Sequence, residues 1–130
     1  MKVTFYGHNC FILKGRNAVV LTDPWLSRQG AFFGSWFQWP INHHLVSSLR
    51  ADLKDNDKVI LYISHEHQDH FDKETLNNIK SIIDICVIPN YQDKFLYTEL
   101  VMLGYHVIEI NDQDKYFINE KDFIELLIVD

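Results

Sequence analysis

The chain has 130 residues, a formal net charge of −6, 47% apolar residues and 23% charged residues. This length and composition are typical of one globular domain with a real hydrophobic core. The acidic balance leaves no basic surface for a nucleic-acid backbone, and no apolar stretch is long enough to span a membrane.

The cysteines indicate the redox environment. Only two are present, Cys10 and Cys86, far apart and in apolar surroundings. This spacing argues against a disulfide scaffold and against a Cys-rich zinc or iron–sulfur site, and it predicts two buried reduced thiols. The N-terminus lacks the basic and apolar segments of a signal peptide, so we expect a cytoplasmic protein.

The first 22 residues predict an antiparallel meander of three short strands. Residues 2–6 alternate in polarity, and the apolar segments 10–14 (CFILK) and 18–22 (AVVLT) flank a turn signal at Gly15-Arg16-Asn17. Asp23-Pro24 ends the third strand because proline has no N–H to donate to a sheet.

Residues 27–44 predict a long loop, with or without a short helical turn. Five aromatic residues fall within eight positions, ahead of Pro40: Phe32, Phe33, Trp36, Phe37 and Trp39. Such rings most often build a core, but without a helix or strand period they also suit a pocket wall, a lid or an exposed contact surface. We expect mixed use, with some rings in the core and others lining a substrate cleft.

The rest of the chain predicts strands that alternate with helices, followed by a hairpin. Residues 57–64 (DKVILYIS) predict a strand that is buried on both faces, since they are mostly apolar and rich in valine and isoleucine. The remaining predicted elements are a helix over 72–83 with Asp72 as its N-cap, a strand over 85–89, a helix over 93–103 ended by Gly104, a strand over 106–110, and a hairpin of 116–119 with 123–129.

An H-x-H-x-D-H motif follows the buried strand. Its three imidazoles and one carboxylate belong to His65, His67, Asp69 and His70. These groups suit zinc, and iron or manganese also accept them. If the backbone stays extended through His67, His65 and His67 point to one side and can hold one ion. Asp69 and His70 in the following turn then favour a second ion, and two ions can bridge and activate a water molecule.

The alternative interpretation of this motif is a histidine-rich surface loop beside a helix cap. Such a loop would not require a carboxylate at this spacing, nor a buried strand directly before it. The motif therefore favours one or two bound metal ions.

The motif, placed after an apolar strand, resembles the metallo-β-lactamase superfamily. Other segments resemble the branch of lactonase-type hydrolases and of the metallo-domain of CMP-N-acetylneuraminate hydroxylase. They are GHNCF at 7–11, LTDPWL at 21–26, AFFGSW at 31–36 with Pro40, and YISH at 62–65. The resemblance implies an α+β or α/β chain that forms half of a four-layer αββα sandwich, a mixed sheet with helices on one face.

The resemblance also implies roles for the motif residues. His65 and His67 would bind one ion, and Asp69 and His70 the other. Asp69, the candidate catalytic residue, would in addition orient the bridging hydroxide. Zinc is the expected metal, as one or two ions, with iron or manganese as alternatives.

Other polar residues have two open interpretations. Asp23 is either a turn residue at a strand end or, by resemblance, a group under the ligands that hydrogen-bonds one of them. His8 is either a core or loop histidine or a group next to the substrate or metal. We interpret His43, His44 and His106 as structural.

The superfamily's complete fold is longer than this chain, and its later strands supply further ligands. These are a third histidine for the first ion, a bridging aspartate and a histidine for the second ion, and none can be assigned here. We therefore expect residues 1–130 to form a single domain truncated at its C-terminus, the N-terminal half of the full fold.

The leading functional hypothesis is a metal-dependent, dinuclear zinc hydrolase of an ester, lactone or phosphoester in a small-molecule substrate, or the metal-binding half of one. One alternative is an oxygenase-type component that acts on a nucleotide sugar, although the Rieske-type iron–sulfur site that normally accompanies it is absent from this sequence. Another is an inactive truncated module for binding or dimerisation. We expect no nucleic-acid partner and no membrane partner.

An unfinished sheet edge and an uncovered apolar face would favour self-association, so a homodimer is expected. Native mass spectrometry at micromolar protein concentration should show a dimer. A stable monomer under these conditions would contradict this expectation.

Overall fold

The computed structural model describes residues 1–128, which are built around a six-stranded mixed sheet. Its strands lie side by side in chain order: β1 Lys2–Gly7, β2 Cys10–Lys14, β3 Ala18–Thr22, β4 Lys58–Tyr62, β5 Ile85–Pro89 and β6 Val107–Ile110. Strands β1 to β3 pair antiparallel, and β3 to β6 pair parallel. The predicted meander and the three later strands are confirmed.

Helices cover one face of this sheet. They are α1 Val46–Lys54, α2 Lys73–Ile79 and α3 Phe95–Met102, with short 3₁₀ turns at His43–Leu45 and Lys80–Ile82. Their buried leucines and isoleucines pack against alternate strand residues such as Leu21 and Leu61. The predicted N-cap of α2 is confirmed, because the side chain of Asp72 accepts from the N–H of Thr75. The sequence pattern does not predict α1, which buries only two side chains, Leu49 and Leu53.

The second face of the sheet is partly covered by a hairpin of β7 Lys115–Phe117 and β8 Phe123–Glu125. Tyr116 and Ile124 of this hairpin pack against a cluster around Ile60. Strand β4 is therefore buried on both sides, as predicted. The hairpin is confirmed, and Val129, at the end of its second predicted strand, lies outside the described residues. The fold is α+β, with a mixed sheet and helices on one face.

Both cysteines are free and fully buried. Desolvation raises the pKa of the Cys10 thiol to about 12, with a smaller contribution from the charge of Asp23. A thiol with such a pKa stays protonated at neutral pH, which agrees with the predicted pair of reduced, inert thiols. Among residues 1–128, no helix is both long and apolar enough to cross a lipid bilayer.

A buried hydrogen bond fastens the chain after β3 to the start of α2. The N–H of Leu26 donates to Oγ1 of Thr75 over 2.9 Å, and the hydroxyl of Thr75 in turn donates to Asp72. Thr75 is 1% exposed, so water cannot replace this bond. The contact matters for function because α2 follows directly on the H-x-H-x-D-H motif.

Replacing Thr75 by valine tests this connection. Thr75→Val keeps the shape of the side chain but leaves the buried N–H of Leu26 without an acceptor, which should lower the free energy of unfolding by about 1–3 kcal/mol. Urea denaturation measures the change. Thr98→Val, at an exposed position of α3, is the matched control. Equal stability of the two variants would contradict the role of Thr75.

Candidate metal centre

The H-x-H-x-D-H motif lies just beyond the C-terminal end of β4, in the middle of the sheet. Strand β4 ends at Tyr62, and the chain then bends into a turn in which the N–H of His70 donates to the carbonyl of His67 over 2.9 Å. The backbone is therefore not extended through His67. This corrects the premise that strand alternation places His65 and His67 on one side.

The turn nevertheless places the ring of His65 close to those of His67 and His70, and the carboxylate of Asp69 close to His70. The ring centroids of His65 lie 4.6 Å from that of His67 and 4.1 Å from that of His70. The Nε2 atom of His70 lies 3.1 Å from Oδ2 of Asp69, whose side chain is buried. Among the described residues, the donor atoms that lie within 4.8 Å of one another belong to Asp69, His70 and His8, whereas His65 is half-buried and His67 is exposed.

Asp23 lies beside this cluster and holds two of its parts. Its Oδ1 accepts from the backbone N–H of Ser64, and its Oδ2 accepts from the Ser64 hydroxyl, both over 2.7 Å. The same Oδ2 lies 2.9 Å from Nδ1 of His70. Of the two interpretations of Asp23, this geometry favours the group that supports the ligands over the simple turn residue.

In His65 and His70, the contacts of Nδ1 determine which ring nitrogen is available to bind a metal ion. The Ser64 hydroxyl donates to Asp23, so its oxygen can accept from Nδ1 of His65 at 2.8 Å. Nδ1 of His70 donates to Asp23 in the same way. With both Nδ1 atoms engaged, Nε2 of each ring is the atom that can face a cation, and that of His70 also lies 3.1 Å from Oδ2 of Asp69 and 3.3 Å from Nδ2 of Asn9.

Burial sets the protonation state of His65. Desolvation, followed by the neighbouring rings of His70 and His67, lowers the pKa of His65 below its ordinary value. The His65 imidazole is therefore neutral at pH 7, which is the state that binds a metal ion.

His8 enters the cluster from the turn between β1 and β2. Its Nε2 lies 2.8 Å from Oδ2 of Asp69, and its ring meets the edges of Trp25 and Trp36 at centroid distances of 5.3 and 5.4 Å. One donor atom each from His8, Asp69 and His70 all lie within 4.8 Å of one another. The interpretation of His8 as a group next to the metal is therefore favoured over that of an isolated loop histidine.

Two of these residues have an uncommon backbone conformation. The φ angles of His8 and Asp23 are +50° and +33°, in the left-handed region that non-glycine residues rarely adopt. Such conformations cost energy and persist where the surrounding structure imposes them, most often at functional sites. Here both belong to residues whose side chains reach the motif.

The aromatic loop borders the cluster on one side. The rings of Phe32 and Trp36 stack at 6.0 Å with 12° between their planes, and Phe32 lies 6.3 Å from the ring of His67. The N–H of Phe32 donates to the side chain of Gln68, inside the motif. These contacts support the predicted use of some rings as a cleft wall.

The expectation that other rings of this loop are in the core is wrong. All five are exposed, and Phe33 and Trp39 are almost fully so. A turn closed by backbone hydrogen bonds between Ala31 and Trp36 directs the rings outward, and Ala31 is buried instead.

Two contributors to the site carry no sequence signal of their own. Ser64 precedes the motif and connects Asp23 to His65. The hydroxyl of Tyr91 donates to the carbonyl of Ser64 over 2.6 Å from the segment after β5. Only their positions offered a clue, since Ser64 and Tyr91 follow the ends of neighbouring parallel strands, where sites usually form.

The histidines interpreted as structural lie in other parts of the fold. His43 and His44 begin the 3₁₀ turn before α1, with ring centroids 6.1 Å apart, and His106 is exposed just ahead of β6.

Residues 2–124 match the family described as the beta-lactamase superfamily domain. A Mycolicibacterium smegmatis protein, provisionally named a Rieske 2Fe-2S iron–sulfur protein, is 34% identical over 131 residues, which cover 99% of this chain and 24% of the relative. Cytidine monophosphate-N-acetylneuraminic acid hydroxylase of Asterias rubens is 32% identical over 77 residues, 58% of this chain and 11% of the relative. The chain thus spans about a quarter or less of the length of these relatives.

A solved structure shares the fold. The crystal structure of CmlA, a diiron beta-hydroxylase from Streptomyces venezuelae, superimposes with a TM-score of 0.63 and 27% identity, over 88% of this chain and 21% of that chain.

Replacing Asp23 by asparagine tests the support of the ligands. Asparagine tolerates the left-handed backbone at position 23, but it lacks the negative charge of the carboxylate that accepts from Ser64 and His70. The zinc affinity of Asp23→Asn should therefore fall about 10–100-fold. A Zn(II) titration followed by NMR of the histidine side chains measures it. Asp57→Asn makes the same change at an exposed site. Unaltered zinc affinity in Asp23→Asn would refute the role.

Proposed function

Because this chain belongs to the beta-lactamase superfamily, we propose that residues 65–70 form part of a dinuclear metal centre in a metal-dependent enzyme. The observation that carries this proposal is the convergence of three histidine rings and one buried carboxylate at the end of β4. Burying a carboxylate costs free energy unless donors or a cation offset it, and imidazoles beside a buried carboxylate form a donor set that suits a transition-metal ion.

The donor set fits the metal. His65 and His67 are proposed to bind one ion, and Asp69 and His70 the other. Zinc, iron and manganese all accept imidazole and carboxylate, and a bound ion would supply Lewis-acid or redox chemistry at this point. The described residues give each ion two protein donors, so complete coordination requires further ligands.

The chain's own residues have distinct proposed roles. Asp23 and Ser64 hold the rings of His65 and His70 so that their Nε2 atoms face the centre. Asp69 is the proposed catalytic residue, since its buried carboxylate contacts the rings of His8 and His70 within the proposed centre. The rings of Phe32 and Trp36 border the side next to His67 and are proposed to contact a small-molecule substrate.

For the reaction, we favour an oxygenase-type activity with a di-iron centre. The support comes from the relatives, which include a diiron beta-hydroxylase, a sialic-acid nucleotide hydroxylase and a protein with a Rieske name. Hydroxylation places one atom of O₂ in the product and reduces the other to water, which consumes two electrons and two protons. A Rieske cluster is a suitable source of such electrons.

This chain does not fit a Rieske cluster itself. Such a cluster needs two cysteines and two histidines close together, whereas Cys10 lies on β2 and Cys86 on β5, with two strands between them. Electrons for an oxygenase activity must therefore come from another domain or another protein.

A hydrolase of an ester, lactone or phosphoester is the second candidate. Its support is the ligand set, because zinc accepts the same imidazole and carboxylate donors and needs no source of electrons. Water activated at the centre would then attack the substrate, with Asp69 as the residue that orients it.

Removing the carboxylate tests the centre itself. Wild-type protein reconstituted anaerobically with Fe(II), or with Zn(II), should bind two ions per chain. Asp69→Ala should bind one and keep its fold, since Asp69 is proposed to bind only the second ion. Equilibrium dialysis against excess metal, which detects weakly bound ions, and circular dichroism give the two readouts. Wild-type protein without metal, or an unfolded Asp69→Ala variant, would contradict the proposal.

The two reactions differ in their need for electrons. With a chemical reductant, the iron-loaded protein should consume O₂ faster than a His65→Ala/His67→Ala variant treated identically, because the variant lacks the first pair of ligands. An oxygen electrode measures this rate. Equal O₂ consumption, together with zinc-dependent cleavage of 4-nitrophenyl acetate that the double variant lacks, would favour the hydrolase.

A further inference from the structure

We propose that His8 is a positioning residue that donates a hydrogen bond from Nε2 to the carboxylate of Asp69. This inference rests on the proposed metal centre and adds the group that orients its carboxylate. Sequence separation makes the contact informative, since the two residues lie 61 positions apart.

The distances distinguish a hydrogen bond from shared metal coordination. Two ligands of one tetrahedral ion, each bonded at about 2.0–2.1 Å, lie about 3.3 Å apart. His70 Nε2 is 3.1 Å from Oδ2 of Asp69, close to that spacing. His8 Nε2 is 2.8 Å from the same oxygen, which is the length of a charge-assisted N–H···O⁻ bond. His70 therefore suits the ion, and His8 suits the carboxylate.

The hydrogen bond also satisfies the electrostatics of a buried carboxylate. The side chain of Asp69 is 7% exposed, so its charge needs donors from the protein. Each carboxylate oxygen can accept more than one partner, so Oδ2 can take the proton of His8 and still face a cation. Without His8, Asp69 would lose this hydrogen-bond donor.

The fold holds the ring of His8 in place. Gly7 and His8 both have positive φ angles, +117° and +50°, in the turn between β1 and β2. The φ of Gly7 is one that residues with a Cβ rarely adopt, and a Cβ there would lie 2.6 Å from Oε1 of Gln38, so glycine suits this turn. Trp25 and Trp36 then meet the ring edge-on, which limits its rotation. A ring that the fold holds in one orientation is expected for a group that orients a metal ligand.

The test compares two amides that differ by one methylene. His8→Gln places its Nε2 where the histidine Nε2 was, whereas the side chain of His8→Asn is too short to reach Asp69 but tolerates the left-handed backbone. His44→Asn, at an exposed histidine, is the matched control. All are titrated with Zn(II), and the tautomer of each histidine in wild-type protein is determined by long-range ¹H–¹⁵N NMR.

We expect the more weakly bound Zn(II) ion to bind His8→Asn about 10–100-fold less tightly than wild-type protein. This is the usual effect of removing a group that hydrogen-bonds to a metal ligand. His8→Gln should recover most of this loss, and His44→Asn should match the wild type. In wild-type protein, Nε2 of His8 should carry a proton both without zinc and at saturating zinc, while His65 and His70 change their ¹⁵N shifts.

Two results would overturn the proposal. One is a His8 Nε2 that loses its proton and takes a metal-bound shift, which would make it a ligand. The other is undiminished zinc binding in His8→Asn. Wild-type protein that binds no zinc would instead refute the proposed centre, and the His8 tautomer in metal-free protein would still decide the hydrogen bond. Should His8→Asn fail to fold, the wild-type NMR readout remains decisive.

Discussion

The buried carboxylate of Asp23 is the interaction on which the site depends. Strands β3 and β4 are parallel, with Thr22 opposite Tyr62, so the residues that follow each strand emerge side by side. Asp23 uses this proximity to accept from the N–H and hydroxyl of Ser64 and from the ring of His70. These donors offset the cost of burying its charge, and they fix the start and the end of the metal motif together.

The surrounding elements keep this arrangement rigid. Thr75 binds the segment after β3 to the helix after the motif, and Tyr91 holds the carbonyl of Ser64 from the next strand. The motif therefore lies in a turn whose two ends and one side are attached to the sheet. A turn held in this way loses little conformational entropy when it binds an ion, which favours binding by groups that are already in place.

Membership of the superfamily does not by itself decide the reaction. The same imidazoles and carboxylate can serve a zinc centre that activates water or an iron centre that reduces oxygen. The zinc centre and the iron centre differ in the bound metal, in the further ligands that complete its coordination and in the need for a supply of electrons. We propose oxygen chemistry because the names of similar proteins include hydroxylases, and among residues 1–128 the two cysteines lie on different strands, β2 and β5.

The sequence by itself determined the strands, two of the three helices, the family and the four proposed ligands, because these depend on local periodicity and on a six-residue spacing. It did not predict α1, whose apolar pattern is short, nor that the aromatic rings point outward. Only the tertiary structure decided that Ser64 meets Asp23 and that His8 meets Asp69. Those contacts join residues 41 and 61 positions apart, and they depend on strand register and on backbone turns that no local pattern encodes.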